Sequence, residues 1–166
     1  CPVRRTAGAT SREETALPEI QDLTNRTVGG YRCVARIAAG SFGTIWKADK
    51  AGAKGVVAIK VMHAELAASR QAQGTFQKEY KLCSRLEHPG VLRYLDYGVW
   101  QNQPFMVMEY FDSVNLKTVI QGQAPFQVRG HLEDIIGNVA LALDYIHQKK
   151  VIHRDVKPEN ILVNAG

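Results

Sequence analysis

The sequence predicts an α+β fold, a small antiparallel β-sheet carrying one main helix and followed by a region of helices. Three patterns predict it. Short β-prone runs separated by turn residues occupy Tyr31 to Met62. Apolar residues at helical spacing follow from Gln73 to Leu86. After Tyr110 the character is helical, dominated by a long amphipathic stretch from Leu132 to Lys149. An apolar fraction of 45% over 166 residues is ordinary for a globular chain of one domain or slightly less.

Residues 1 to 28 set Arg4, Arg5, Arg12 and Arg26 against Glu13, Glu14, Glu19 and Asp22, with few large apolar side chains. They read as a polar, disordered lead-in. Tyr31 to Ile37, Thr44 to Ala48 and Val56 to Met62 are predicted strands. The turn chemistry of Ala39-Gly40-Ser41 and Gly52-Ala53-Lys54-Gly55 separates them, so they form an antiparallel meander. In the helix that follows, Phe76, Glu79, Tyr80, Cys83 and Leu86 fall on adjoining parts of one face. A strand pair, Val91 to Tyr97 and Phe105 to Tyr110, completes the sheet. Asn115 to Ile120 is a short helix. The long one carries Leu132, Ile135, Ile136, Val139, Ala140, Leu143 and Ile146 on one stripe, wide enough to require more protein than follows before Gly166. With Cys1 in place of an initiator methionine, the chain reads as a piece of a longer one.

Composition removes several function classes. The apolar runs, such as Val56 to Met62, are far short of the roughly 20 residues that span a bilayer, so no membrane segment is expected. Cys1, Cys33 and Cys83 lack the spacing of a zinc site or a disulfide framework, which favours a reducing, cytoplasmic setting; tethering by a segment outside this chain stays open. The formal charge is +5, but basic residues are scattered among acidic ones with no basic helix face, which argues against a nucleic-acid partner.

Three constellations carry chemistry. In Ile37-Ala38-Ala39-Gly40-Ser41-Phe42-Gly43-Thr44-Ile45 a glycine-containing turn joins two strands, and glycines let backbone amides approach phosphate oxygens; alone, such a turn is more often only a turn. In Val57-Ala58-Ile59-Lys60 a lysine ends an apolar run, which by itself usually marks a surface residue. Glu79, however, interrupts the apolar face of the following helix. A carboxylate there needs a cationic partner, and Lys60 is the natural one. The third and most specific is His153-Arg154-Asp155-Val156-Lys157-Pro158-Glu159-Asn160, between the long helix and a strand at Ile161 to Val163. Within one loop Asp155 could accept a hydroxyl proton, Lys157 could neutralise a phosphoryl group, and Asn160 could bind a metal ion through its side-chain oxygen.

In order and spacing these motifs resemble the catalytic domain of the serine/threonine protein kinases, from about Gly30 to Gly166. The resemblance implies a protein-kinase-like fold, with the small sheet lobe at 29–110 and the first helices, catalytic loop and strand of a helical lobe at 111–166. It implies ATP and Mg2+ as cofactors and protein substrates with Ser or Thr acceptors. By it Lys60 contacts the α and β phosphates, Glu79 orients Lys60, Asp155 is the catalytic base and Asn160 holds magnesium. Lys157, two after the aspartate, is similar to the serine/threonine branch. Gly40, Ser41, Phe42 and Gly43 would cover the phosphates, although Ala38 stands where the family has its first glycine. Ile37, Ile45, Ala58 and Leu162 would sandwich adenine. Met108 matches the gatekeeper, and Glu109 and Phe111 the hinge backbone. The Asp-Phe-Gly motif that family members carry after this strand is not within the 166 residues. A pseudokinase or scaffold that binds without catalysis is the alternative, and the short loops resemble bacterial kinases of the eukaryotic type.

Overall fold

Residues 21–50, 52, 55–123 and 130–164 are described in the computed structural model of the chain. Six strands form one antiparallel sheet: β1 (Thr27–Val28), β2 (Tyr31–Ala39), β3 (Gly43–Lys50), β4 (Val56–Met62), β5 (Tyr94–Trp100) and β6 (Gln103–Glu109). Their spatial order is β1-β2-β3-β4-β6-β5. The expected meander is β2 to β4. The chain then leaves the sheet for helices α1 (Ala64–Ala67) and α2 (Arg70–Cys83) and re-enters at the far edge as β5, so that β6 returns beside β4. The β5–β6 hairpin closes through Gln101 and Asn102, both at positive φ, as a two-residue turn matched to strand twist requires.

Side chains alternate across a strand, and β4 shows what that does here. Ile59 and Val61 point to one face, where they cluster with Trp46, Ala48, Phe105 and Val107. Met62 points to the other, where Met106 of β6, Ala67 of α1 and Phe76 of α2 cover it. Lys60 belongs to this second face, opposite Ile45 in β3 and Met106 in β6. Burying side chains such as Ile59 or Phe76 contributes roughly 1.5–3 kcal/mol each. The lead-in predicted through residue 28 overlaps this core, because Leu23 and Val28 are buried in the first cluster and Val28 pairs with Tyr31. Residues 1–20 lie outside the described residues.

Helix α2 starts at Arg70 instead of Gln73 because Ser69 caps it, its Oγ accepting from the Ala72 N–H at 3.3 Å. It stops at Cys83. Leu86, predicted on its face, lies past the end and packs with Ile146 and Val151 in a third cluster.

Two further helices, α3 (Leu116–Ile120) and α4 (Leu132–Gln148), follow the sheet, and β7 (Val114–Asn115) pairs antiparallel with β8 (Leu162–Val163). Asn115, predicted as the first residue of α3, is its cap: Oδ1 accepts from the Thr118 N–H at 2.9 Å. α4 docks against the α2–β5 connection. The Tyr145 ring stacks on His88 at 5.0 Å, and its hydroxyl accepts from the Glu87 N–H at 2.9 Å. The predicted stripe is only partly covered: Ile146 is buried, Ile135, Val139 and Leu143 are half-buried, and Leu132, Ile136 and Ala140 are exposed. α4 ends in a Schellman motif. Lys150 takes a positive φ, its N–H bonds the His147 carbonyl, and the Val151 N–H bonds that of Ile146. The turn tucks Val151 onto Ile146 and launches the loop that follows. Among the described residues no helix is long and apolar enough to cross a membrane.

Candidate active site

The Lys60–Glu79 pair predicted from sequence forms. Strand register brings Lys60 to the face that α2 covers, and there Nζ reaches both Glu79 oxygens, at 2.9 and 3.1 Å. The lysine lies over the Phe76 ring, 5.4 Å from its centre. The Tyr94 hydroxyl donates to Glu79 Oε1 at 3.1 Å. Burial first, and the Glu79 charge second, push the Tyr94 hydroxyl pKa far up, so it stays protonated as a donor. Sequence reasoning did not assign Tyr94 a role; it sits in a predicted strand with nothing in its periodicity to separate it from a packing residue.

The glycine turn closes with the Gly40 N–H on the Gly43 carbonyl at 2.9 Å. Its two glycines answer different needs. A Cβ on Gly43 would stand 2.3 Å from the Val61 carbonyl oxygen, so the close approach of β3 to β4 demands glycine. A Cβ on Gly40 would meet nothing nearer than 3.7 Å. Ser41 and Phe42 are exposed at the tip. Ala38, in the place of the family's first glycine, pairs in regular register with Ile45, and the ladder slips between Arg36 and Ala38. Ile37 is the extra residue of that bulge and is 48% exposed.

The loop after α4 gathers its three predicted residues. Asp155 Oδ2 accepts from Lys157 Nζ and from Asn160 Nδ2, each at 2.9 Å, and Asn160 Nδ2 also donates to the Asp155 carbonyl at 2.8 Å. A 3-10 turn at Pro158–Asn160 bends the asparagine back. Arg154 takes a positive φ of 64°, a conformation that costs a non-glycine residue about 1–3 kcal/mol and tends to occur where a site is built. The Lys157 ammonium holds the Asp155 carboxyl below its usual range, with Asn160 adding to the effect, and Asp155 in turn raises Lys157. Asp155 is therefore a carboxylate at neutral pH. Because Asn160 bonds through its amide nitrogen, its Oδ1 end is the one turned away from Asp155. Lys117 of α3 pairs with Glu159 at 2.9 Å, and the Leu116 N–H donates to the Ile161 carbonyl at 2.8 Å, tying the loop to α3.

Of the predicted adenine contacts, register places Ile45 and Ala58 with Met108 on the Lys60 face: Ala58 pairs with Met108, and Ile45 with Lys60. Ala58 and Met108 are buried, whereas Ile37, Phe111 and Leu162 are apolar and exposed. The Glu109 N–H donates to the Arg93 carbonyl at 2.9 Å. A cavity of about 400 Å3 opens behind this point, lined by Glu87, His88, Pro89, Arg93 and Glu109, and it shares only Glu109 with the predicted contacts. Among the described residues no hydrogen bond or ion pair joins the Lys60–Glu79 pair to the Asp155–Lys157–Asn160 group.

Comparison with known proteins bears on this arrangement. The protein kinase domain family model matches residues 31–166. The chain is 36% identical over 139 residues to a probable serine/threonine-protein kinase, pknA2, of Bifidobacterium longum, covering 82% of this chain and 18% of that one. It is 33% identical over 148 residues to the serine/threonine-protein kinase pkn3 of Myxococcus xanthus, covering 88% and 27%. Among solved structures, the Mycobacterium tuberculosis PknI kinase domain superposes with a TM-score of 0.70 at 30% identity, over 87% of this chain and 59% of that one. The chain thus spans about a fifth to a quarter of the two relatives' length and three fifths of the solved domain. The sheet, α2 and the loop after α4 have the protein-kinase-like arrangement, and the chain belongs to the serine/threonine protein kinase family.

Proposed function

We propose that the protein carrying this chain transfers the γ-phosphoryl group of ATP to Ser or Thr hydroxyls of protein substrates. The observation that carries the reading is the Asp155 carboxylate, ionised and fixed between Lys157 and Asn160 on an exposed loop. A carboxylate held this way accepts and aims a hydroxyl more than it strips it of a proton, which suits a reaction whose catalysis is mainly positioning and charge stabilisation. Lys157 neutralises the transferring group. Lys60, held by Glu79, meets the α and β phosphates under the Gly40–Gly43 turn. Ile37, Ile45, Ala58 and Leu162 enclose adenine beside Met108, with the backbone of Glu109 and Phe111 along its edge.

The residues fit magnesium as the family uses it. Among the described residues no three His, Cys, Asp or Glu side chains gather into a ready-made metal site. A hard cation of this kind is held by few protein oxygens together with phosphates, and Asn160 Oδ1 is the group turned outward to serve. The ion, when bound, screens the phosphate charge. The domain works where ATP is supplied, which we place in the cytoplasm.

Phosphate transfer from labelled ATP to a generic protein substrate by the full-length protein, with Asp155→Asn in parallel, is the test. Transfer that the substitution abolishes supports the reading. Nucleotide binding without transfer in the unsubstituted protein would make it a scaffold.

A further inference from the structure

His63 is a buried titratable residue that none of the motifs uses, 8% exposed at the junction of β4 and α1. Three of its groups are engaged. Ring Nε2 lies 2.9 Å from the Gly40 carbonyl, its backbone N–H donates to the Phe42 carbonyl at 3.2 Å, and its own carbonyl accepts from the Ala67 N–H at 3.0 Å. A carbonyl can only accept, so Nε2 carries the hydrogen. The glycine turn is thus fastened at two points to the end of the strand that bears Lys60. The same junction reaches α2, because Gln73 Nε2 donates to the Ala67 carbonyl.

In a trans peptide the C=O of one residue and the N–H of the next point in opposite directions, and the peptides here are trans. Holding the Gly40 and Phe42 carbonyls on His63 therefore turns the Ser41 and Gly43 N–H groups away from it. We propose that His63 is a positioning residue for the phosphate-covering turn, pinning the Gly40 and Phe42 carbonyls to the end of β4 so that the Ser41 and Gly43 amides face the nucleotide's phosphates. The inference rests on the kinase reading above. Released from the ring, the Gly40 peptide has no Cβ to restrain it and can rotate, bringing a carbonyl oxygen where a phosphate oxygen should sit.

The test compares ATP and adenosine affinity in the full-length protein with His63 intact and in three variants. His63→Phe keeps the ring without a donor, His63→Asn is polar but too short to reach Gly40, and His63→Gln keeps an N–H at comparable reach. His63→Phe and His63→Asn are expected to weaken ATP binding about five- to tenfold, the worth of one hydrogen bond, with adenosine binding unchanged. His63→Gln should recover most of the loss. Unchanged ATP affinity in both His63→Phe and His63→Asn, or equal losses for ATP and adenosine, would overturn the clamp and leave the kinase reading standing. Failure of the unsubstituted protein to bind ATP at all would overturn both.

Discussion

In the proposed reaction Lys60 and Asp155 act on different parts, so substitutions at them should separate. Lys60→Met removes the charge proposed to meet the phosphates and is expected to lower phosphoryl transfer by at least about 100-fold. The pair is partly exposed, with side chains 20% and 36% accessible, so the stability loss should stay near 1 kcal/mol; thermal melting beside a transfer assay reads both. Undiminished transfer in a folded Lys60→Met protein would remove the lysine from the site. Asp155→Asn should lower kcat with little change in ATP affinity, because in the proposed reaction the carboxylate touches the acceptor hydroxyl and not the nucleotide. The pH dependence has a definite sign. Asp155 has its folded pKa depressed, first by Lys157, so its ionised form persists as pH falls through the ordinary carboxylate range near 4. Lys157→Met removes the largest cause, and the Asp155 carboxyl should then titrate at higher pH than in the unsubstituted protein, as carboxyl NMR would report. A titration that stayed put would assign the depression to Asn160 instead. The motif residues stood out only as an ordered set, because a glycine turn, a lysine ending a strand or an aspartate in a loop is ordinary when taken alone. Tyr94 and His63 did not stand out, because a tyrosine in a strand and a histidine before a helix look the same whether they pack or position.

At the scale of elements, the glycine turn offers a paired substitution. Gly43→Ala would drive a methyl group into the Val61 carbonyl and force β3 from β4, so it should cost roughly 1–3 kcal/mol of stability. Gly40→Ala meets open space and should leave melting unchanged while weakening ATP binding, if that space belongs to phosphate. Equal destabilisation by the two would mean that the turn is only a turn. The strands of the β2–β4 meander were legible as β-prone runs separated by turn residues, and β4 most clearly. What sequence could not show is how they assemble. That β6 lies beside β4 with β5 outside follows from α2 carrying the chain across the sheet, a long-range pairing without local signature. Ile37, read as the end of a strand and as one of the adenine contacts, is the extra residue of a bulge, which periodicity of two cannot register. The start of α2 was misplaced for a local reason: Ser69 is a capping residue, but it precedes a polar first turn in which no apolar stripe has begun.

Over the whole molecule, α4 raises the largest question of solvation. Its buried side chains, Ala142 and Ile146, with Ile135 and Val139 half-buried, share one arc, yet Ile136 is 60% and Leu141 62% exposed. At 3.6 residues per turn these two lie about 140° apart around the helix, on either side of the covered arc. Glu133, Asp144 and Gln148 fill the sector between them, so Leu141 stands among polar residues, while Leu132, Ile136 and Ala140 extend the covered arc along one flank as exposed apolar surface. Ile152 and Val156, on the loop beyond, are exposed at 66% and 52%. The sequence predicted a wide stripe here, and the structure shows that it is wider than one packed neighbour can cover. A polypeptide of only these 166 residues should therefore self-associate, since a contiguous apolar surface of this kind favours association in water. Size-exclusion chromatography with light scattering measures it. Ile136→Glu with Leu141→Glu should shift the polypeptide toward monomer, because both lie off the buried arc and their loss leaves the contacts with Leu86 and Val151 intact. A monodisperse monomer before substitution would show that these exposed side chains do not drive association.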